Sequence, residues 1–171
     1  MKLFLLIALL LSTLALAQPP VRRIGIRVEM VATRSGTLMR EADQAGSLVV
    51  AVTRSGEAYL EATPVTLAAL TEQLRAARSA PIYIKADTRA TYGSVAAVLT
   101  ALRAAGADVA NLLSSQRDPS GAPMGVSVSL SGVPDSREKT VNLDATGPLL
   151  FGDVVSIIDA SRAAGARVVL K

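Results

Sequence analysis

The strongest constraint on this chain is a stretch that occurs twice. Pro81–Leu113 (PIYIKADTRATYGSVAAVLTALRAAGADVANLL) and Lys139–Lys171 (KTVNLDATGPLLFGDVVSIIDASRAAGARVVLK) align without a gap when Gly93 is laid on Gly152 and Gly106 on Gly165. About ten of roughly thirty paired positions are identical, the grade of similarity that marks an internal repeat. Shared alanine richness inflates such a match, but it does not account for Tyr92-Gly93 standing against Phe151-Gly152. Each copy reads as a β-rich run, a loop, an amphipathic helix, a glycine stop and a second β-rich run. Val95, Val98, Leu99 and Leu102 recur at helical spacing in the first copy, and Val154, Val155, Ile157 and Ile158 occupy the helix of the second. Gly106 and Gly165 fit the left-handed residue that ends a helix. Strand, helix and strand with short joints predict a βαβ unit with parallel strands and a right-handed crossover.

Ahead of the first copy, SLVVAVT (Ser47–Thr53) and EAYLEA (Glu57–Ala62) are β-rich runs around Gly56, which predicts a hairpin. Thr53–Gly56 (TRSG) repeats Thr33–Gly36, a four-residue recurrence ascribed to chance. Thr66–Ser79 reads as a helix that the second copy lacks. Thr66 is its N-cap, Val65 and Leu70 are placed for a hydrophobic staple, and Leu67, Leu70, Leu74 and Ala77 form the apolar stripe. Ile24–Ala32 alternates as a half-buried strand, and Thr37–Gly46 reads as a polar connection with a helical turn. Ser114–Pro123 (SSQRDPSGAP) reads as a linker.

The first residues follow another logic. Leu3–Ala17 is an uncharged apolar run behind Lys2, and it ends Ala15-Leu16-Ala17. That is the pattern of a secretory signal cleaved near Ala17, and it is short for a membrane span. The expectation is a periplasmic or secreted protein. The alternative is an inner-membrane protein anchored by residues 3–17. The domain division is then 1–17 signal peptide, 18–46 basic N-terminal arm with one strand, 47–113 first module, 114–123 linker, and 124–171 truncated second module.

The chain has no cysteine and no histidine, which removes a disulfide framework, thiolate nucleophiles and Cys/His metal sites. The formal charge is +4, and Arg22, Arg23 and Arg27 lead a basic N-terminal arm, the candidate contact to anionic lipid or wall polymer such as peptidoglycan. No basic–aromatic pattern suited to nucleic acid is present. Asp144, Asp153 and Asp159 gather in the second copy, but Asp153 reads as a helix-start charge and Asp159 as a solvent-face residue rather than an acid–base pair. Serines lack a histidine base, and no S-x-x-K sits in a strand–helix context. No catalytic residue, cofactor or metal is expected.

The run from Ser47 to Leu113 resembles the periplasmic domain of the ExbD/TolR family. The resemblance rests on Val65-Thr66-Leu67 at a helix entry, Ile84-Lys85-Ala86-Asp87 after it, Tyr92-Gly93-Ser94-Val95 at the next helix, and Ala105-Gly106 at its end. No one piece is specific; their order and spacing together are. The second copy keeps Phe151-Gly152-Asp153-Val154 and the glycine stop, with Asp144-Ala145 where Lys85-Ala86 stood and Thr146 for Asp87.

The resemblance implies an α+β fold of two tandem βαβ modules, with mixed sheets and helices packed on one face. It implies a non-catalytic role in biopolymer transport or an energy-coupled envelope system, with envelope proteins of a TonB/Tol-like system as partners. Members use an aspartate in a transmembrane helix for proton coupling. Leu3–Ala17 holds no acidic residue and has no cytoplasmic tail before it, so the expectation is the periplasmic half without the motor half. Members work as dimers, so a tandem copy implies an intramolecular pseudo-dimer. Lys85, Asp87 and Arg89 form the candidate partner-contact loop. Asp87 also has a structural reading as a turn or cap carboxylate, and Tyr92 and Phe151 read as core plugs.

Overall fold

The computed structural model describes residues 25–77, 80–131 and 139–171. The signal-like run Leu3–Ala17, Arg22, Arg23 and Ile24 lie outside the described residues. The strands are β1 (Thr37–Leu38), β2 (Leu48–Val52), β3 (Ala58–Leu60), β4 (Thr63–Pro64), β5 (Ile82–Ala86), β6 (Val109–Arg117), β7 (Pro123–Ser129), β8 (Thr140–Leu143) and β9 (Arg167–Leu170). The helices are α1 (Leu67–Ala76), α2 (Tyr92–Ala104) and α3 (Phe151–Ala163), with a 3-10 turn at Arg40–Asp43.

All strands join one mixed sheet in the order β4-β3-β2-β5-β6-β7-β9-β8, and β1 pairs with β7 beside this path. β2 and β3 form the expected antiparallel hairpin, turned at Gly56 with φ +88°. β5 runs parallel to β6, and β8 runs parallel to β9, so both expected βαβ units are present. β7 lies between them, antiparallel to β6 and parallel to β9. The two units therefore point in opposite directions across a shared sheet.

Strand alternation builds the core. Val50, Val52, Ile84, Ala110, Leu112, Val126, Val128, Val168 and Leu170 face the helices and form one continuous cluster with Leu70, Leu74, Val95, Leu99, Leu102, Val154 and Ile158. Val49 and Tyr83 point the other way and are covered by Met39 and Ala42. Thr66 caps α1 by accepting the Ala69 N–H, and Leu70 and Leu74 are fully buried on α2. Each such leucine stabilises the fold by about 1.5–3 kcal/mol. Leu67, expected in the same stripe, occupies the first helical position and stays 43% exposed.

Three expectations are corrected. Residues 25–33 carry no strand; they run as extended chain fastened by isolated bonds, such as Thr88 N–H to the Glu29 carbonyl and Ser115 N–H to the Val31 carbonyl. Residues 25–46 of the expected arm are therefore packed against the body. Ser114–Pro123 is not a linker. β6 continues to Arg117 and turns back into β7, because the Asp118 carboxylate accepts the Ala122 N–H and the Ser120 hydroxyl, while Gly121 supplies a φ of +83°. Composition suggested a boundary where local polar bonds make a hairpin.

Candidate functional site

The Asp87 loop starts where β5 ends. Asp87 is buried, and its carboxylate accepts three N–H groups: the Arg89 backbone at 3.0 Å, the Arg89 Nε at 3.4 Å and the Glu29 backbone at 3.3 Å. Arg89 Nη2 also reaches the Glu29 carboxylate at 2.8 Å. Burial pushes the Asp87 carboxyl up, but these donors outweigh it and hold the group below the usual carboxylate range. Asp87 and Arg89 thus meet in one turn. Lys85 points to the opposite side of the sheet, half-buried, near the Glu61 and Asp43 carboxylates; burial lowers its pKa and those charges oppose the shift.

Four further backbone bonds tie the loop to the second βαβ unit. Tyr92 N–H donates to the Leu149 carbonyl at 2.7 Å, and Phe151 N–H to the Ala90 carbonyl at 2.9 Å. Gly93 N–H donates to the Gly147 carbonyl at 3.0 Å, and Gly152 N–H to the Thr88 carbonyl at 2.9 Å. In the repeat alignment Tyr92 pairs with Phe151, Ala90 with Leu149, Gly93 with Gly152 and Thr88 with Gly147. Each bond is thus the counterpart of another with the two units exchanged. The glycines are needed for closeness. A Cβ on Gly93 would lie 3.2 Å from Gly147 Cα, and one on Gly152 would lie 3.0 Å from the Thr88 carbonyl oxygen. Tyr92 and Phe151 plug the core as read from sequence, although the Tyr92 hydroxyl is buried without a partner among the described residues.

A residue that sequence reasoning misplaced is Asp159 on α3. It accepts the Arg34 and Ser35 N–H groups, each at 2.8 Å, and the Ser35 hydroxyl also donates to it. Burial would raise its pKa, but the Ser35 hydroxyl and the two backbone donors hold it below the usual range. No local signal pointed there, since its partners lie more than a hundred positions earlier in the chain. The two TRSG segments accordingly do different work: one turns the β2–β3 hairpin and the other sits on Asp159. Of the basic residues proposed for anionic surfaces, Arg27 is described, and it is exposed.

A groove of about 590 Å³ lies between the β3–β4 end of the sheet and the starts of α1 and α2. Its lining includes Tyr59, Val65, Leu67 and Val98, with Glu57, Thr66 and Ser94 as polar side chains. Among the described residues no helix is long and apolar enough to cross a membrane, and no group of three potential metal ligands occurs.

Residues 1–117 match the family model described as biopolymer transport protein ExbD/TolR. No curated protein matches the chain. The matched region ends at Arg117, the last residue of β6, and takes in β1 to β6 with α1 and α2. With more than half of its length in the match, the chain belongs to the ExbD/TolR family of biopolymer transport proteins.

Proposed function

We propose that this protein works on the periplasmic side of the envelope as a non-catalytic, contact-making component of an ExbD/TolR-type transport system. The observation that carries the reading is the family match over residues 1–117, which spans the whole first βαβ unit and its preceding hairpin. The family is transport-related and works with TonB/Tol-system proteins, so recognition rather than reaction is the expected output. Photo-crosslinking in whole cells from exposed positions such as Leu67, followed by identification of the adduct, tests it. An energy-coupling or envelope protein is expected, and adducts only with unrelated proteins would sink the reading.

The second βαβ unit is proposed to stand in for the partner subunit of a dimer. The four exchanged hydrogen bonds between the Thr88–Gly93 and Gly147–Gly152 loops support this, as an isologous contact pairs residue i with j and j with i. The opposed directions of the two units in the sheet agree with a two-fold axis perpendicular to it. Light scattering should find residues 18–171 monomeric; an obligate dimer would contradict the proposal.

The proposed N-terminal processing is cleavage near Ala17. One observation favours the anchored alternative, namely that the family match takes in residues 3–17. The intact mass of the exported protein decides between them.

A further inference from the structure

The face of the sheet away from the helices carries a row of three polar side chains. Tyr83 on β5 is in register with Asn111 on β6, and Asn111 is in register with Ser127 on β7. Residues in register on neighbouring strands share a face, so the row crosses three strands and spans about 10 Å. It floors a cleft of about 340 Å³, with residues 37–41 along its side. The bonds within the row fix which hydrogens are already committed. Asn111 Nδ2 donates to the Ile82 carbonyl at 3.2 Å, so its Oδ1 faces Ser127. The Ser127 hydroxyl therefore donates to that oxygen, at 2.7 Å, and turns only lone pairs to the cleft. Thr37, on the rim, likewise donates its hydroxyl hydrogen to the Gly125 carbonyl, at 3.4 Å. Tyr83 is 6% exposed, yet among the described residues its hydroxyl has no hydrogen-bond partner. Glu41 is exposed at the same cleft and makes no ion pair among the described residues. Arg40 beside it does not neutralise it; that guanidinium adds to the Ser120 hydroxyl and the Ala122 N–H in holding the Asp118 carboxyl low. Lys85, two residues beyond Tyr83, lies near Glu61 and Asp43 instead. Burial, and after it the Glu41 charge, push the Tyr83 phenol above its ordinary range, so the field of that carboxylate reaches the hydroxyl.

We propose that this cleft binds the guanidinium or ammonium group of an arginine or lysine side chain on a partner protein. The cleft offers lone pairs from Thr37, Ser127, Tyr83 and the Glu41 carboxylate, whereas the second amide hydrogen of Asn111 is the one donor its floor has committed to nothing else. A neutral ligand with as many acceptors as donors leaves several of those lone pairs unmet. A guanidinium or ammonium carries N–H donors alone, and its charge meets that of Glu41. The Tyr83 hydroxyl, desolvated in the folded chain, then gains the partner it lacks. The row is longer than one cationic head group, so the Asn111 amide hydrogen remains for a backbone carbonyl of the same segment. The inference rests on the contact-making reading above only for the ligand's being part of a protein. Whole-cell crosslinking addresses that reading, whereas the following titration addresses the cleft alone.

The probe is the tripeptide Ala-Arg-Ala, blocked at both ends and titrated into the full chain while amide shifts are followed. Saturable one-to-one binding is expected, with the largest shifts at Glu41, Tyr83, Asn111 and Ser127. The dissociation constant should rise about tenfold in Tyr83→Phe, which keeps the ring and removes only the hydroxyl. It should rise about fivefold in Glu41→Gln, a change at an exposed side chain that leaves the fold intact. The same peptide with citrulline for arginine, equal in shape but uncharged, should bind about tenfold more weakly. Absence of saturation at millimolar peptide, equal binding of the citrulline peptide, or unchanged constants in both variants would overturn the proposal. Ethylguanidinium binding as tightly as the peptide would overturn the assignment to a protein segment and leave a small cation as the ligand. Binding that emerges only when Arg22 and Arg23 are replaced by alanine would also overturn it, by assigning the cleft to the chain's own arm.

Discussion

Asp87 and Asp159 each hold backbone N–H groups of the same N-terminal segment, at Glu29 and at Arg34-Ser35. A carboxylate that accepts several such bonds stabilises the fold only while it is ionised. Both have pKa values below normal in the folded state, so their contribution is fully present above about pH 4, the ordinary value for an aspartate. It is lost as pH falls through the lower folded values. Denaturant melts should therefore show stability dropping on acidification below about pH 4, with a smaller drop in Asp159→Ala. At neutral pH, Asp159→Ala should cost about 0.5–1.5 kcal/mol, since one exposed and one part-buried N–H group lose a charged acceptor. Hydrogen exchange should quicken at Arg34 and Ser35 and stay slow in β5 and β6. Asp159→Asn should cost less, because its amide oxygen still accepts.

At the scale of elements, the helices carry the clearest contrasts. Val98 and Ile157 hold equivalent places on α2 and α3, yet one is buried beneath α1 and the other is 48% exposed. Val98→Asp should destabilise strongly by leaving an unpaired charge beneath α1. Ile157→Lys should change stability by no more than about 0.5 kcal/mol, the usual range for a surface change. Urea midpoints of the two variants check this pair. The helix starts are more exacting. Gly152→Ala places a methyl group against the Thr88 hydroxyl and carbonyl oxygens; the hydroxyl can rotate away but the carbonyl, 3.0 Å distant, cannot. It should cost about 1–3 kcal/mol by forcing the two loops apart. Gly106 and Gly165 differ in kind: open space surrounds them, but φ values of +92° and +75° make a side chain strained there.

At the scale of the molecule, the decisive fact is that the nine strands of the described residues form one sheet across both units. A chain ending at Arg117 would keep every residue of the family match but lose β7 from the side of β6, and the Gly147–Gly152 loop from the side of Asp87. An exposed strand edge and an unpaired loop are ready templates for association. Residues 18–117 should therefore self-associate where residues 18–171 stay monomeric, as measured by light scattering. A folded, monomeric fragment would remove the support for an intramolecular dimer. Arg103 adds to the junction by donating to the Leu130 and Leu170 carbonyls at the ends of β7 and β9.

The sequence by itself determined the local units. The helical spacing of Val95 to Leu102, the Thr66 cap and the glycine stops are nearest-neighbour signals, and each appears where the spacing places it. The ExbD/TolR resemblance was legible for the same reason, because it lay in ordered punctuation between Val65 and Gly106. Tertiary structure alone decided how the units meet. Polar composition at Ser114–Pro123 reads the same for a linker as for a hairpin until Ser114 is buried and Asp118 finds its donors. Asp159 looks like a solvent-facing charge until residues 34 and 35 are laid on it. The pairing of Thr88–Gly93 with Gly147–Gly152 rests on backbone hydrogen bonds, which any residue but proline can donate, so side-chain identity carries little record of it. What local chemistry specifies can be read along the chain, whereas long-range backbone pairing becomes visible only once the two loops are brought together.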